Sequence, residues 1–360
     1  MKAEHVVPPS EIQSTLDDLW NANENKNKIR ASLFNLVFFS KKSPREEYLR
    51  KVAYNTLEKF PARVFFLSSD PTLPDSLKTA VSVISTKQGE FDITCDLIEI
   101  DTSGKEENKI PFLLLPHLIP DLPIFLVWPE DPSKNDSLFE ELKGFATRII
   151  FDSEASENLT LFANSILTKK QKNHFEIADL NWARFESWRS LISSTLSTPA
   201  IIEKLQKTSA VTITYNAEET PFFCHTKIQA IYLQAWIASR LKWKVVPQKE
   251  DGSIFTYQAS EGPFQVHLKE VKSNKLPPGM IISLEVETSQ GESFAFLRKE
   301  DTPDRISFKH STPTECSLLS HIEVSKRESG QSLVKEICHK GTSEHYIEAL
   351  QVILKGNAPC

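Results

Sequence analysis

Residues 31–68 read ASLFNLVFFSKKSPREEYLRKVAYNTLEKFPARVFFLS, and their pattern decides the fold. Ala31 to Ser40 is apolar and aromatic over a strand's length with no polar alternation, as a strand buried on both faces requires. Ser43-Pro44-Arg45-Glu46 then forms a capping box, with proline at the first helical position, where its missing N–H costs nothing. The helix this opens should run to about Lys59 and turn Leu49, Val52, Ala53 and Leu57 inward. Pro61 ends it, and Arg63 to Ser68 is the next strand. Strand, capped helix and strand in so short a stretch predict a right-handed crossover joining a parallel pair.

Working outward, a capping box at Ser10 to Gln13 leads a short helix with Ile12, Leu16, Leu19 and Trp20 on one stripe, and Asn21 to Lys28 is a polar loop. On the other side, Thr79 to Thr86 and Phe91 to Ile100 read as strands, and Ile110 to Leu118 as a helix with a proline break. Pro123 to Trp128 is a strong strand. Ser137-Leu138-Phe139-Glu140 caps a helix that runs into the strand Arg148 to Asp152, and Ser153 to Lys170 is helical. From Ile201 the pattern changes. A strand at Val211 to Tyr215 precedes a long helix from about Cys224 to Leu241. Short strands then follow near 255–258, 264–271, 281–287, 293–298 and 305–310, and Thr342 to Leu354 closes as a helix. The expected architecture is an α/β N-terminal domain with a largely parallel sheet of βαβ units, then an α+β C-terminal domain with an antiparallel sheet. The expected boundaries are 1–175, a connecting helix over 176–200, and 201–360.

Composition bounds the chemistry. The 360 residues carry 40% hydrophobic and 25% charged side chains and a formal charge of −6, an ordinary globular balance with no pull towards nucleic acid or an anionic membrane. No signal core or spanning apolar run occurs, so a cytoplasmic protein is expected. Cys95, Cys224, Cys316, Cys338 and Cys360 are widely spread without C-x-x-C, which argues against a disulfide framework or a zinc site. The adjacent pairs Cys224-His225 and Cys338-His339 cannot both face one metal in the usual geometry. Lys335 near Cys338 makes a reactive thiol conceivable, beside the plainer reading of an inert one. Only 10 residues are glycine, and no phosphate-cradling glycine motif can be written anywhere in the chain. No cofactor, no metal and no assembled catalytic set is expected.

Three clusters stand out. Asp179 to Arg189 (DLNWARFESWR) concentrates tryptophan and arginine, the types enriched where binding energy gathers. On a single helix capped by Asp179 or Asn181, Arg184 and Trp188 would be i, i+4 neighbours able to stack, with Trp182, Phe185 and Arg189 alongside. Core wedges between domains and a binding interface both fit this composition. Trp236 to Trp243 (WIASRLKW) sets Trp236, Arg240 and Trp243 at helical spacing, with Arg240 the surface candidate. Leu122 to Pro129 (LPIFLVWP) ends a strand at Trp128, a position where α/β folds place ligands.

In this order the clusters resemble the glucose-6-phosphate dehydrogenase assembly protein family (OpcA). The resemblance spans about Arg30 to Trp243 and is carried by RASLFNLV (Arg30–Val37), PARV (Pro61–Val64), IPDLPIFLVWP (Ile119–Pro129), IFDS (Ile150–Ser153), DLNWARFESWR and WIASRLKW. Val127 stands where many relatives have a second tryptophan, and Ile237 replaces a leucine. No regulatory cysteine of the family maps onto the five here. The resemblance implies a non-catalytic protein that binds glucose-6-phosphate dehydrogenase, promotes its assembly or activity, and so supports the oxidative pentose phosphate pathway. Its functional surface or inter-domain seam would draw on Trp128, Asp179, Trp182, Arg184, Trp188, Arg189, Trp236 and Arg240. The rivals are an α/β sugar-phosphate enzyme (a lactonase or transferase) in which Arg30, Arg63 and Arg189 grip a phosphate, and a metabolite sensor.

Overall fold

The computed structural model describes residues 5–22, 28–57, 59–88, 91–172, 174–223, 225–247, 252–315, 320–323 and 330–356. Cys224, Cys316 and Cys360 lie outside the described residues. Chain contacts divide the molecule into two compact units. The first comprises Met1–Asp152, Asn173–Asp179 and Ser329–Gly341; the second comprises Ser153–Lys172, Leu180–Glu328 and Thr342–Cys360. The chain thus changes unit several times along its length. The architecture is α/β, with a mixed sheet in each unit.

The first unit's strands are β1 (His5–Val7), β2 (Lys28–Arg30), β3 (Asn35–Lys41), β4 (Arg63–Asp70), β5 (Ser76–Gln88), β6 (Phe91–Ser103), β7 (Ile124–Trp128), β8 (Arg148–Phe151) and β9 (Glu176–Asp179). They lie in the order β1-β5-β6-β4-β3-β7-β8-β9, with β2 also on β6. The decisive stretch folds as read. β3 and β4 pair in parallel from Asn35↔Arg63 to Lys41↔Ser69, joined by the helix Pro44–Leu57. Leu36, Phe38, Val64 and Leu67 are fully buried, because helices or other elements cover both faces of a parallel sheet. β7, β8 and β9 continue the parallel arrangement on the far side of β3, whereas β5 and β6 form a long antiparallel hairpin.

The chain moves from β3 to β4 on one side and returns to β7 on the other, so the strand order reverses between β3 and β7. Open α/β sheets bind ligands in the crevice at such a reversal. Here that edge carries ion pairs: Lys41 lies 3.8 Å from both Glu130 and Asp136, and Arg45 lies 2.6 Å from Asp152. Burial raises the Glu130 carboxyl above its usual range, against the pull of Lys41.

Two expected caps differ. At the N-terminus a short 3-10 turn, Pro9–Glu11, whose start no side chain caps, precedes the helix Ile12–Ala22. For the helix Ser137–Leu142 the cap is Asp136, one residue before the expected Ser137, and its carboxylate accepts from Phe139 N at 3.1 Å.

The second unit's strands are β10 (Thr208–Asn216), β11 (Lys244–Val246), β12 (Ile254–Ala259), β13 (Gly262–Val271), β14 (Ile281–Thr288), β15 (Ser293–Lys299), β16 (Thr302–Ser311) and β17 (Ser320–Glu323). Their order is β11-β12-β13-β10-β14-β15-β16-β17. All neighbours are antiparallel except β10 and β13, which run in parallel. β13 alternates: Phe264, Val266 and Leu268 face the core while Gln265, His267 and Lys269 face out. The helix Ile228–Leu241 is buried over most of its circumference, between the sheet and the C-terminal helix Glu344–Gly356. Lys242 ends it in the left-handed conformation (φ 55°), donating to Ala238 O. That turn, not helical spacing, delivers Trp243 to the core, edge-on to Phe264 at 4.7 Å. Among the described residues no helix is long and apolar enough to cross a membrane.

Candidate functional site

DLNWARFESWR does not form one helix. β9 ends at Asp179, a short helix covers Leu180–Arg184, and a second covers Glu186–Leu196. Between them Phe185 sits at φ −108°, ψ 18°, outside the helical well, which re-aims the second segment. The expected stacking of Arg184 on Trp188 is thereby lost. Arg184 instead lies over Phe223 at 4.8 Å and donates to Asn181 Oδ1 at 2.7 Å. Trp188 turns towards the sheet, edge-on to Phe296 at 6.5 Å, with Arg298 over its ring at 5.7 Å.

The break brings Trp182 and Phe185 to the same place. Their rings meet edge to face at 5.2 Å, Trp182 lies 5.4 Å from Tyr346, and Phe185 lies 6.2 Å from Tyr232. All four rings are buried. Arg189 closes this box. Its guanidinium lies 3.9 Å above Trp182 and 4.5 Å from Phe185, and its Nη1 donates to the Trp182 carbonyl at 2.5 Å. A planar cation over an indole face with a hydrogen bond beside it is a position lysine cannot reproduce.

Around the box runs a charged rim. Arg240, in the last turn of Ile228–Leu241, pairs with Glu348, and His345 lies 3.8 Å from the same carboxylate. Burial, then the fields of Arg240 and Arg189, hold the His345 imidazole below its ordinary value. Arg240 also borders an apolar groove of about 270 Å³, walled by Ile192, Leu196, Ile202, Trp236 and Trp243 among others. Ile202 is 39% exposed at its lip, whereas Trp236 is 5% exposed along its wall. An apolar floor with an arginine at its edge is the composition of a protein-binding hot spot.

Trp128 and Asp179 belong to the first unit. Trp128 is buried at the end of β7, stacked on Phe39 at 4.3 Å. Asp179 is buried at the end of β9, in register with Phe151. Of the three arginines considered as a phosphate grip, Arg30 and Arg63 do converge, but on the buried Asp96. Arg63 donates to its Oδ2 at 2.9 and 2.7 Å, Arg30 at 2.9 Å, and Trp20 donates to Oδ1 at 2.7 Å. Their charge is compensated there, and Arg189 belongs to the other unit. Cys95, beside Asp96, has its thiol pushed up to about 11 by burial, so it is a poor nucleophile. Cys338 is exposed. Among the described residues no group of three or more His, Cys, Asp or Glu side chains is placed to hold a metal ion.

Sequence reasoning had no means of singling out Phe223, His345 or Glu348. They reach the cluster from distant segments and carry no local motif.

The site is thus defined by an aromatic box with an arginine over it and an adjoining apolar groove, on an α/β chain whose strand-order reversal carries ion pairs. Family comparison agrees with the sequence motifs. Residues 54–165 match the glucose-6-phosphate dehydrogenase subunit N-terminal domain, and residues 175–350 match the C-terminal domain of the same subunit. The chain belongs to the glucose-6-phosphate dehydrogenase assembly (OpcA) family. A Nostoc punctiforme protein named OpcA, of the OxPP cycle, is 28% identical over 200 residues, covering 53% of this chain and 40% of the relative. Its Synechococcus elongatus counterpart is 26% identical over 199 residues, covering 54% and 42%. The match therefore spans less than half the length of these relatives. Among solved structures, an NAD binding oxidoreductase from Klebsiella pneumoniae matches at a TM-score of 0.47 and 7% identity, covering 91% of this chain and 96% of that one. At that score the likeness has no bearing on chemistry.

Proposed function

We propose that this chain is a non-catalytic assembly factor of the oxidative pentose phosphate pathway. It binds glucose-6-phosphate dehydrogenase and raises the population of the active oligomer or conformation by binding that state more tightly. The observation that supports this reading is the apolar groove bordered by Arg240 and Trp236, a surface suited to a protein side chain rather than to a phosphate. The nearby arginines are already engaged: Arg189 by the Trp182 carbonyl and rings, Arg240 by Glu348. That leaves the sugar-phosphate-enzyme reading without a grip at this place.

The test is binding of the purified full chain to purified glucose-6-phosphate dehydrogenase, with dehydrogenase activity followed in parallel. Ile202→Asp and Arg240→Glu place charge at the lip of the groove without touching the core. Each should weaken capture at least tenfold and abolish stimulation. Folded variants that capture and stimulate like the wild type would remove the groove from the interface, and wild-type chain that never captures the enzyme would remove the function.

A further inference from the structure

We propose that the outer face of the second unit's sheet is a self-pairing surface, on which a second copy of this chain docks about a two-fold axis running along β15. Side chains alternate along each strand, and the alternation assigns the two faces. Phe294, Phe296 and Ile306 are buried on the inner face with Leu284 and Val286, where Trp188 of the helix Glu186–Leu196 packs on Phe296. The opposite face carries Glu285 and Glu287 from β14, Ala295 and Leu297 from β15, and Ser307 and Lys309 from β16. Glu285, Glu287 and Leu297 are exposed, so this face is open to solvent.

On a solvated sheet, opposite charges gain most by standing directly across from each other on neighbouring strands. The centre of this face lacks that arrangement. Glu285 stands opposite Ala295, and Ala295 opposite Lys309, so the two charges share a row but lie two strands, about 10 Å, apart. On its other side Glu285 faces Thr212. Among the described residues neither the Glu285 carboxylate nor the Lys309 ammonium has a hydrogen-bond or ion-pair partner. At the margin, by contrast, Arg305 and Glu323 do pair across β16 and β17, at 2.8 Å. Leu297, 37% exposed, stands in the next row between the small Ser283 and Ser307.

A two-fold axis along β15 keeps every row and exchanges left for right. It lays β14 of one copy over β16 of the other, so Glu285 of each copy meets Lys309 of the other, and Leu297 packs on its own counterpart. Ser283 then lies over Ser307, and neither is large enough to hold the faces apart. An isologous contact requires a surface complementary to itself. A negative strand and a positive strand at equal distances on either side of an apolar one supply it. Any other partner would have to bring a matching row, whereas a second copy carries it already. Five strands span about 24 Å, and strands of about eight residues run about 26 Å, a plan area of about 600 Å². That is below the roughly 800 Å² per partner of a standard interface, so the dimer should form in the micromolar range.

Sedimentation velocity of the full chain alone, over two decades of concentration, tests this. The wild type should pass from monomer to dimer. Glu285→Lys and Lys309→Glu each set like charges against one another at two places, and each should raise the dissociation constant at least tenfold. Both exchanges in one chain restore the pairs and should bring the constant back close to the wild-type value, with circular dichroism checking that every variant folds. Arg240→Glu, at the separate groove, should dimerise like the wild type. A wild-type chain monomeric throughout, a folded single variant that dimerises like the wild type, or a double variant as weak as the singles overturns the proposal. If the chain stays monomeric while Glu285→Lys lowers dehydrogenase capture, the face belongs to the dehydrogenase and self-pairing is overturned. Dimerisation without any capture sinks only the assembly function.

Discussion

Two arginine centres, one in each unit, show how one side chain serves opposite ends. Around Asp96, Arg63 is 7% exposed and Arg30 leans in from Trp20, with the carboxylate drawing donors from both guanidiniums and the indole. Around Trp182, Arg189 has an aromatic platform and a carbonyl, and Arg240 shares its carboxylate with His345 at a half-exposed rim. The first centre is charge compensated inside a fold. The second leaves guanidinium faces beside an apolar groove, and that difference in surroundings separates a structural arginine from a recognition candidate.

Asp96→Ala should break that contrast most severely. Among the described residues it leaves Arg63 buried with the His117 carbonyl as its one polar partner, and removing one member of a buried ion pair costs about 3–5 kcal/mol. Chemical denaturation followed by near-ultraviolet circular dichroism would measure the loss. A loss below about 1 kcal/mol would mean that water reaches the cluster and that the first centre is not closed.

Arg298→Met should act in the opposite direction. Arg298 is 6% exposed, its Nε and Nη2 lack partners among the described residues, and its one hydrogen bond goes to the Pro303 carbonyl. Burial pulls its ordinary value down to about 10, with Asp304 opposing. The guanidinium stays charged at neutral pH, so its desolvation penalty acts in full there. Replacing an ill-compensated buried charge by an apolar chain of similar length should stabilise by about 1–3 kcal/mol at pH 7. Destabilisation in thermal melts would show that the Trp188 contact outweighs desolvation.

Arg189→Lys should cost about 1 kcal/mol, because the ammonium keeps the charge but loses the planar contact with Trp182. A double-mutant cycle with Trp182→Leu would isolate the coupling, and additivity of the two losses would mean that the lid and the box are independent.

These contrasts were only partly visible in the chain. The β3–helix–β4 unit was legible because burial on both faces and a proline at the first helical turn leave local marks. Trp182 and Arg189 were legible as unusual residues, but their partnership was not. The break at Phe185 goes with the packing of Phe185 on Tyr232 and of Trp182 on Tyr346, residues that arrive from elsewhere in the chain, and no periodicity within DLNWARFESWR reports it. Arg63 could be read as a phosphate ligand only while Asp96 was unplaced. β9, of four residues, and the helices Pro199–Leu205 and Gln331–Cys338 were too short for a pattern to accumulate.

The smallest effect is the most discriminating for the rim. Arg240→Ala removes one partner of a half-exposed ion pair, which is worth about 0–1 kcal/mol, so the fold should barely respond. His345 should respond. Its folded value lies below 6.5 through burial first and the arginines second, so the folded chain resists the proton and loses stability as the pH falls below 6.5. Without Arg240 the imidazole should titrate closer to 6.5 and that acid-side slope should shrink, while burial and Arg189 keep some depression in place. Proton–nitrogen NMR of the His345 ring across pH 4–8 would follow it. A titration point unmoved by the substitution would mean that Arg240 and His345 do not share a field, and the rim would then be two unrelated charges beside a groove.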